Sequence, residues 1–161
     1  MLTYHLHNRF PKEIKAGSVC NDIISNVDFA PLWLDLAGVR KPTYMQGYSF
    51  RPLLHGKTPD DWQKVAYHRY WMHNDTPHMA RAHYGIRSQR YKLIYWYNLD
   101  YGLAGTKPGG EPPEWELFDC EKDPLELFNC YGSEEYKDIV KEMTDMLEDK
   151  MLEIGDIWEH R

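Results

Sequence analysis

From Lys64 to Asp119 the apolar residues return at every second position, and that period points to the strands of a sheet. In "KVAYHRYWMH", Val65, Tyr67, Arg69 and Trp71 share one face, and Ala66, His68 and Tyr70 share the other. The loop "NDTPHMAR" follows. "HYGIRS" is then a second strand, "QR" a tight connection and "YKLIYWYN" a third strand. In the third, Tyr91, Leu93, Tyr95 and Tyr97 oppose Lys92, Ile94 and Trp96. Both faces are largely apolar or aromatic, which suits a central strand. The glycine- and proline-rich "LDYGLAGTKPGGEPP" leads to a fourth strand, "EWELFD". No link carries a crossover helix, so the expected sheet is an antiparallel meander.

A helix follows the sheet. "SEEYKDIVKEMTDMLEDKMLEIG" opens on Ser133 as N-cap with two glutamates in the first turn, and Gly155 closes it. Tyr136, Ile139, Val140, Met143, Met146, Leu147, Met151 and Ile154 form its dry stripe. Val140, Met143 and Leu147 are expected on the sheet face that carries Tyr67, Ile86 and either Leu93 or Ile94. Between sheet and helix, "DCEKDPLELFNC" reads as an acidic turn and a short apolar helix. The expected fold class is α+β: a four-stranded antiparallel sheet with one packed C-terminal helix.

Ahead of the sheet, "TYHLHNRF" reads as a short strand with His5 and His7 on one face. "SNVDFAPLWLDLAGV" is a helix with Phe29, Leu32, Trp33 and Leu36 on one stripe. Pro31 is best placed in its first turn, which favours Asp28 over Ser25 as cap, and Gly38 is the stop. "FRPLLHG" holds at most one helical turn. The boundary between the two parts is set near Gly56, giving 1–56 and 57–161.

A formal charge of −6 without a basic arm argues against nucleic acid as partner. No stretch reaches membrane-spanning length, and the first residues lack the apolar run of a signal peptide. Cys20, Cys120 and Cys130 contain no CxxC pair, although Cys120 and Cys130 could bridge. His68, His73, His78 and His83 recur at an interval of five. Ligands on regular structure prefer i+2 or i+4, so no shared metal site is expected from them. No GxSxG, HExxH, P-loop or dinucleotide turn is present.

Four blocks in order carry a resemblance: "ISNVDFAPLWLDLAGV", "MQGYSFRPLLHGKTPDDWQKVAYHRY", "HYGIRSQRYKLIYW" and "WELFDCEKDPLELFNCY". Together they resemble the C-terminal portion of sulfatases of the carbohydrate-sulfatase type, from about Arg9 into the last helix. The resemblance implies an alkaline-phosphatase-like α/β catalytic domain followed by a four-stranded subdomain with one helix. On that basis 1–56 is a remnant of the catalytic domain and 57–161 is the C-terminal subdomain. The stripe of Phe29, Leu32, Trp33 and Leu36 would then face a catalytic domain and lack cover without it. The family's activity is hydrolysis of sulfate esters with a formylglycine nucleophile and calcium. None of the three cysteines lies in the C/S-x-P/A-x-R context that yields formylglycine, and the calcium ligands lie upstream in the family. No cofactor is therefore expected in this chain, which is read as a C-terminal fragment, catalytically incomplete by itself. "MLTYHLHN" departs from the apolar strand expected before "RFPKEI", as if the reading frame began inside a longer gene, which would account for the missing signal peptide. Full-length members are commonly periplasmic, secreted or lysosomal.

The resemblance makes "HYGIRSQRYKLIYWY" the central hairpin of a sheet that leans on the catalytic domain, its loops walling the substrate pocket. His83 and Arg87 are the residues it sets nearest an anionic sugar, arginine through paired donors to sulfate or carboxylate. A structural pairing of Arg87 with a sheet neighbour stays open. The expected partners are a sulfated glycan or an upstream catalytic domain. The alternatives are a non-catalytic carbohydrate- or anion-binding module, and an accessory chain that completes a split sulfatase.

Overall fold

The computed structural model describes residues 9–76 and 78–160. The strand expected over "TYHLHNRF", with His5 and His7, lies outside them but for its last two residues. The chain divides into two compact units, Met1–Ala66 and Tyr67–Arg161.

In the first unit a 3-10 turn, Asn26–Asp28, leads into helix α1, Phe29–Leu36, and a single turn forms α2, Arg51–Leu54. Asp28 stands at the N-cap of α1, but its side chain makes no capping bond. Its fully buried carboxylate turns back and accepts from Ser25 N at 2.7 Å, Tyr48 N at 2.9 Å and Gln63 Nε2 at 2.7 Å. Three donors offer a buried carboxylate more than one helix terminus can. The apolar stripe of α1 also finds cover within its own unit. Leu32, Phe50 and Leu53 are buried together, with Phe29, Leu36 and Trp62 packed against them. Phe29 meets Phe50 edge-on at 5.4 Å. Only Trp33 of the expected stripe is exposed. Trp62 Nε1 donates to Ile23 O at 2.9 Å, which holds the residues beyond Gly56 to this core.

The second unit is the expected meander. β1 (Ala66–Tyr70), β2 (His83–Arg87), β3 (Tyr91–Trp96) and β4 (Glu114–Asp119) form one sheet in sequence order. β2 pairs with β3 antiparallel from His83↔Trp96 to Arg87↔Lys92, and β3 with β4 from Tyr91↔Asp119 to Trp96↔Glu114. The link 88–90 closes with Ser88 N donating to Tyr91 O at 2.8 Å. Gly85 is required by close approach, because a Cβ there would lie 2.2 Å from Leu93 O.

Helix α3, Lys137–Ile154, follows a 3-10 turn, Glu134–Tyr136. Ser133 stands at that turn's N-cap in extended conformation, but its hydroxyl makes no capping bond, and its carbonyl accepts from Tyr136 N at 3.0 Å. Met143, Leu147 and Met151 are buried on the dry stripe, and α3 packs on β2 and β3. The covered face carries Tyr84, Ile86, Leu93 and Leu117, all fully buried; Leu93, not Ile94, is the helix partner because alternation turns Ile94 to the opposite face. Gly155 takes φ +71 as C-cap, and Asp156 N returns to Met151 O at 2.9 Å.

The chain after Gly155 folds back over the sheet, which the sequence reading did not foresee. Arg69 Nη1 donates to Asp156 Oδ1 at 2.6 Å and to Ile157 O at 2.9 Å. The Tyr67 hydroxyl also donates to Asp156. The His160 ring lies against Tyr84, Tyr95 and Trp115.

One further expectation fails. "LELFN" is not helical, because Asp123 Oδ2 accepts from Leu127 N at 2.6 Å and Phe128 N at 2.9 Å, and Glu126 takes φ +56. A side chain that captures backbone donors locally competes with the helix. Cys120 and Cys130 are free thiols: Cys120 Sγ faces Arg87, and Cys130 Sγ faces Phe128 O.

Candidate functional site

In a meander of four strands the first and third connections leave by the same end. Here these are the loops 71–82 and 97–113. They are tied together by buried polar groups. Ala82 N donates to Nδ1 of the fully buried His73 at 3.2 Å, and Lys107 N donates to the His73 carbonyl at 3.0 Å. His73 Nε2 lies 2.9 Å from Asn74 Nδ2 and 3.4 Å from Glu111 Oε2. Asn98, also fully buried, donates from Nδ2 to Pro112 O at 2.7 Å and from its backbone to Ala82 O at 3.2 Å.

Backbone strain gathers in the same place. Five non-glycine residues among those described have positive φ, and four are in these loops: Asn74 (49°), Met79 (51°), Asn98 (54°) and Tyr101 (49°). Asparagine tolerates this region, whereas methionine and tyrosine do so less readily. Held strain of about 1–3 kcal/mol per residue is characteristic of sites that position groups.

His83 opens β2 at this end. Its ring lies 4.4 Å from Trp96, 5.1 Å from His68 and 5.7 Å from Tyr70, nearly parallel to the last. His83 Nδ1 is 2.7 Å from the Arg81 carbonyl, which can only accept, so Nδ1 holds the proton. Burial pushes the His83 imidazole below its ordinary range despite that bond. The neutral ring therefore leaves Nε2 as its acceptor, without a hydrogen-bond partner among the described residues. His68 is pushed down to about 3, first by burial and then by the neighbouring His83.

Tyr70 connects this cluster to a carboxylate. Its hydroxyl donates to Asp75 Oδ1, and that bond, ahead of burial, pushes the phenol up to about 12. Asp75 Oδ2 lies 2.9 Å from His78 Nδ1. The Tyr70 hydroxyl and then the His78 ring hold the Asp75 carboxyl below the usual carboxylate range. The sequence reading missed Tyr70, Asp75 and His78 as a group. The available signal was the spacing D-x-x-H inside a loop between two strands.

Arg87 stands four residues from His83 on the same sheet face, about 13 Å along the strand. The structure does not bring the two together. The Arg87 guanidinium contacts Cys120 Sγ and lies 4.0 Å from Glu126 Oε1. Glu126 also pairs with the buried Lys92, whose ammonium is pushed down by burial. Arg87 thus sits in a compact ionic cluster at the opposite end of the sheet.

Among the described residues, no group of three or more His, Cys, Asp or Glu side chains is placed to hold a metal ion. The calcium implied by the resemblance therefore finds no fitting ligand set there. Among the same residues no helix is long and apolar enough to cross a membrane.

The family described as "N-sulphoglucosamine sulphohydrolase, C-terminal" matches residues 2–153. An N-acetylglucosamine-6-O-sulfatase of Bacteroides thetaiotaomicron is 43% identical over 150 residues, covering 92% of this chain and 25% of that protein. An ulvan-active sulfatase of Formosa agariphila is 30% identical over 167 residues, covering 92% of this chain and 33% of that protein. The solved structure of BT4656 in complex with its substrate, D-glucosamine-2-N,6-O-disulfate, superposes with a TM-score of 0.78 at 42% identity, over 91% of this chain and 28% of that one. The chain spans about a quarter to a third of the length of these relatives. With its four-stranded sheet, its packed helix and these matches over nearly its whole length, the chain belongs to the sulfatases and corresponds to their C-terminal region.

Proposed function

We propose that this chain serves a sulfuric ester hydrolase acting on sulfated glycans, and that its contribution is recognition of the sugar. The carrying observation is the loop end of the sheet. There, buried ties and strained backbone fix His83 with Nδ1 committed to Arg81 O and Nε2 without a partner among the described residues. A neutral imidazole with a free Nε2 accepts a hydrogen bond from a sugar hydroxyl, and the adjoining Trp96 offers an aromatic surface to a sugar ring. The relatives named for N-acetylglucosamine 6-O-sulfate and for ulvan support a sulfated glycan as the ligand class. Calcium and formylglycine, which the family uses for the hydrolysis, belong in this reading to the part of the relatives' length that the chain does not span. Arg87, engaged with Cys120 and Glu126, is assigned to holding the turn after β4.

The test is titration of the chain with D-glucosamine 6-sulfate, followed by ring and backbone NMR shifts. Shifts are expected at His83, Trp96 and the loops 71–82 and 97–113. Shifts confined to the neighbourhood of Arg87 and Lys92 would move the sugar to the other end of the sheet. Absence of binding at millimolar sugar would refute the reading.

A further inference from the structure

His83 has an aromatic wall on each side, and each wall is tied by its polar tip to a carboxylate. The sheet order sets β1 on one side of β2 and β3 on the other. From β1, the Tyr70 ring lies 5.7 Å from that of His83 and nearly parallel to it. From β3, the register partner Trp96 stands 4.4 Å away. The Tyr70 hydroxyl donates to Asp75 Oδ1, and Trp96 Nε1 donates to Glu116 Oε2 at 2.7 Å. Asp75 is buried, and its second oxygen lies 2.9 Å from His78 Nδ1, so this carboxylate is itself held. The Tyr97 hydroxyl donates to the Tyr70 carbonyl at 2.8 Å, which fixes that wall at its backbone as well. The polar anchor of the His83 ring is Nδ1, 2.7 Å from Arg81 O. One hydrogen bond fixes a point on the ring and leaves its plane free to turn about that point. The plane is set by the rings on either side. Aromatic contacts tolerate a range of tilts, and the two polar tethers select one.

We infer that Asp75, through Tyr70, and Glu116, through Trp96, are positioning residues that hold the His83 imidazole in the orientation in which Nε2 receives a sugar hydroxyl. The inference rests on the reading given under Proposed function and assigns no contact to a sulfate. Neither carboxylate touches the sugar. Their effect is angular: a hydrogen bond weakens steeply as it departs from line, so a ring free to swing gives up part of what His83 contributes.

The experiment measures the dissociation constant of D-glucosamine 6-sulfate, the probe of that reading, for the chain and its variants, and follows the His83 ring by its 15N and 1H shifts. Tyr70→Phe keeps the ring and removes the tether. It is expected to move the His83 ring shifts in the free chain and to weaken the sugar about threefold, part of what one hydrogen bond contributes. Asp75→Asn, which keeps an oxygen for the Tyr70 hydroxyl, should bind as the unsubstituted chain does. In a His83→Ala background Tyr70→Phe should change nothing further, because residues that act through one another are not additive. A further loss in that background would overturn the inference, since Tyr70 would then act by another route. Unchanged affinity in Tyr70→Phe, whatever the ring shifts do, would overturn it and leave the wider reading standing. If the unsubstituted chain does not bind the sugar, the wider reading fails and carries the inference with it. Should Tyr70→Phe not fold, the other wall decides: Glu116→Ala should move the His83 ring shifts and Glu116→Gln should not, and unmoved shifts in Glu116→Ala count against the inference.

Discussion

Arg69 Nη1 donates to Asp156 Oδ1 at 2.6 Å, joining the first strand to the residues beyond the last helix. Arg69 is almost wholly buried, and its guanidinium lies 3.9 Å from the Trp71 ring centre and 5.0 Å from that of Tyr97. Glu159 supplies a second carboxylate at 3.3 Å. Removing one member of such a pair strands the other charge, whereas replacing both with apolar residues does not. Asp156→Ala is expected to destabilise the second unit by about 3–5 kcal/mol. Arg69→Met with Asp156→Leu should restore most of that. Urea titrations of the single and double variants decide it, and a double variant no better than the single would show that the pair is not the linking element.

Leu147 is fully buried on the face of α3 that covers Ile86, Leu93 and Leu117. Leu147→Ala is expected to cost about 2–5 kcal/mol through lost burial and the cavity left behind. The exposed Leu152, one turn further on, should tolerate alanine within about 0.5 kcal/mol. Equal midpoints for Leu147→Ala and the parent chain would mean that α3 is not docked on the sheet.

Asp119 is buried and accepts from Arg90 Nη2 at 2.7 Å and Nε at 2.9 Å. The Arg90 bonds, ahead of opposing burial, push the carboxyl down to about 2 from an ordinary 3.8. Between those values the unfolded chain binds the proton more readily than the folded one. The stability this group contributes is therefore present above about pH 4 and is lost as pH falls through about 2. Asp119→Asn should flatten the acid limb of the stability profile in that window. A parent-like acid limb in the variant would assign the acid sensitivity to other carboxylates.

Purified by itself, the chain is expected to turn over neither aryl sulfates nor sulfated sugars, with or without calcium. It carries no C/S-x-P/A-x-R segment around Cys20, Cys120 or Cys130, and hydrolysis of this class needs an activated nucleophile and a charge-stabilising cation. Turnover that copurifies and scales with the chain through successive columns would overturn this.

The strands were legible because a half-buried sheet writes its period directly into the residues: Tyr91, Leu93 and Tyr95 against Lys92, Ile94 and Trp96. The interval of five between the histidines was discounted as a metal pattern, and it has another origin. A strand, a twelve-residue loop and a return strand bring His68 and His83 into ring contact at 5.1 Å, with His73 and His78 left in the loop between. Periodicity within one element cannot show a contact made across a hairpin. The same holds for Asp28, a locally plausible cap until Gln63 and Tyr48 arrive from elsewhere in the sequence. Asp156 and His160 were unreadable for a similar reason, since their partners, Arg69 and Tyr84, lie more than seventy residues away.

The two ends of the sheet differ in how freely they can be rewritten. At one end the link 88–90 is too short to change without shifting the register of β2 against β3. At the other, loops of twelve and seventeen residues set no register, yet backbone bonds from Lys107 N to His73 O and from Asn98 N to Ala82 O fasten them to each other. Grafting either loop alone from a relative would set both of these backbone bonds against a new partner. Moving 71–82 and 97–113 together would keep those ties within the graft. These two loops are thus one structural unit, and exchanging it whole is the economical way to rewrite this end of the sheet while keeping its ties.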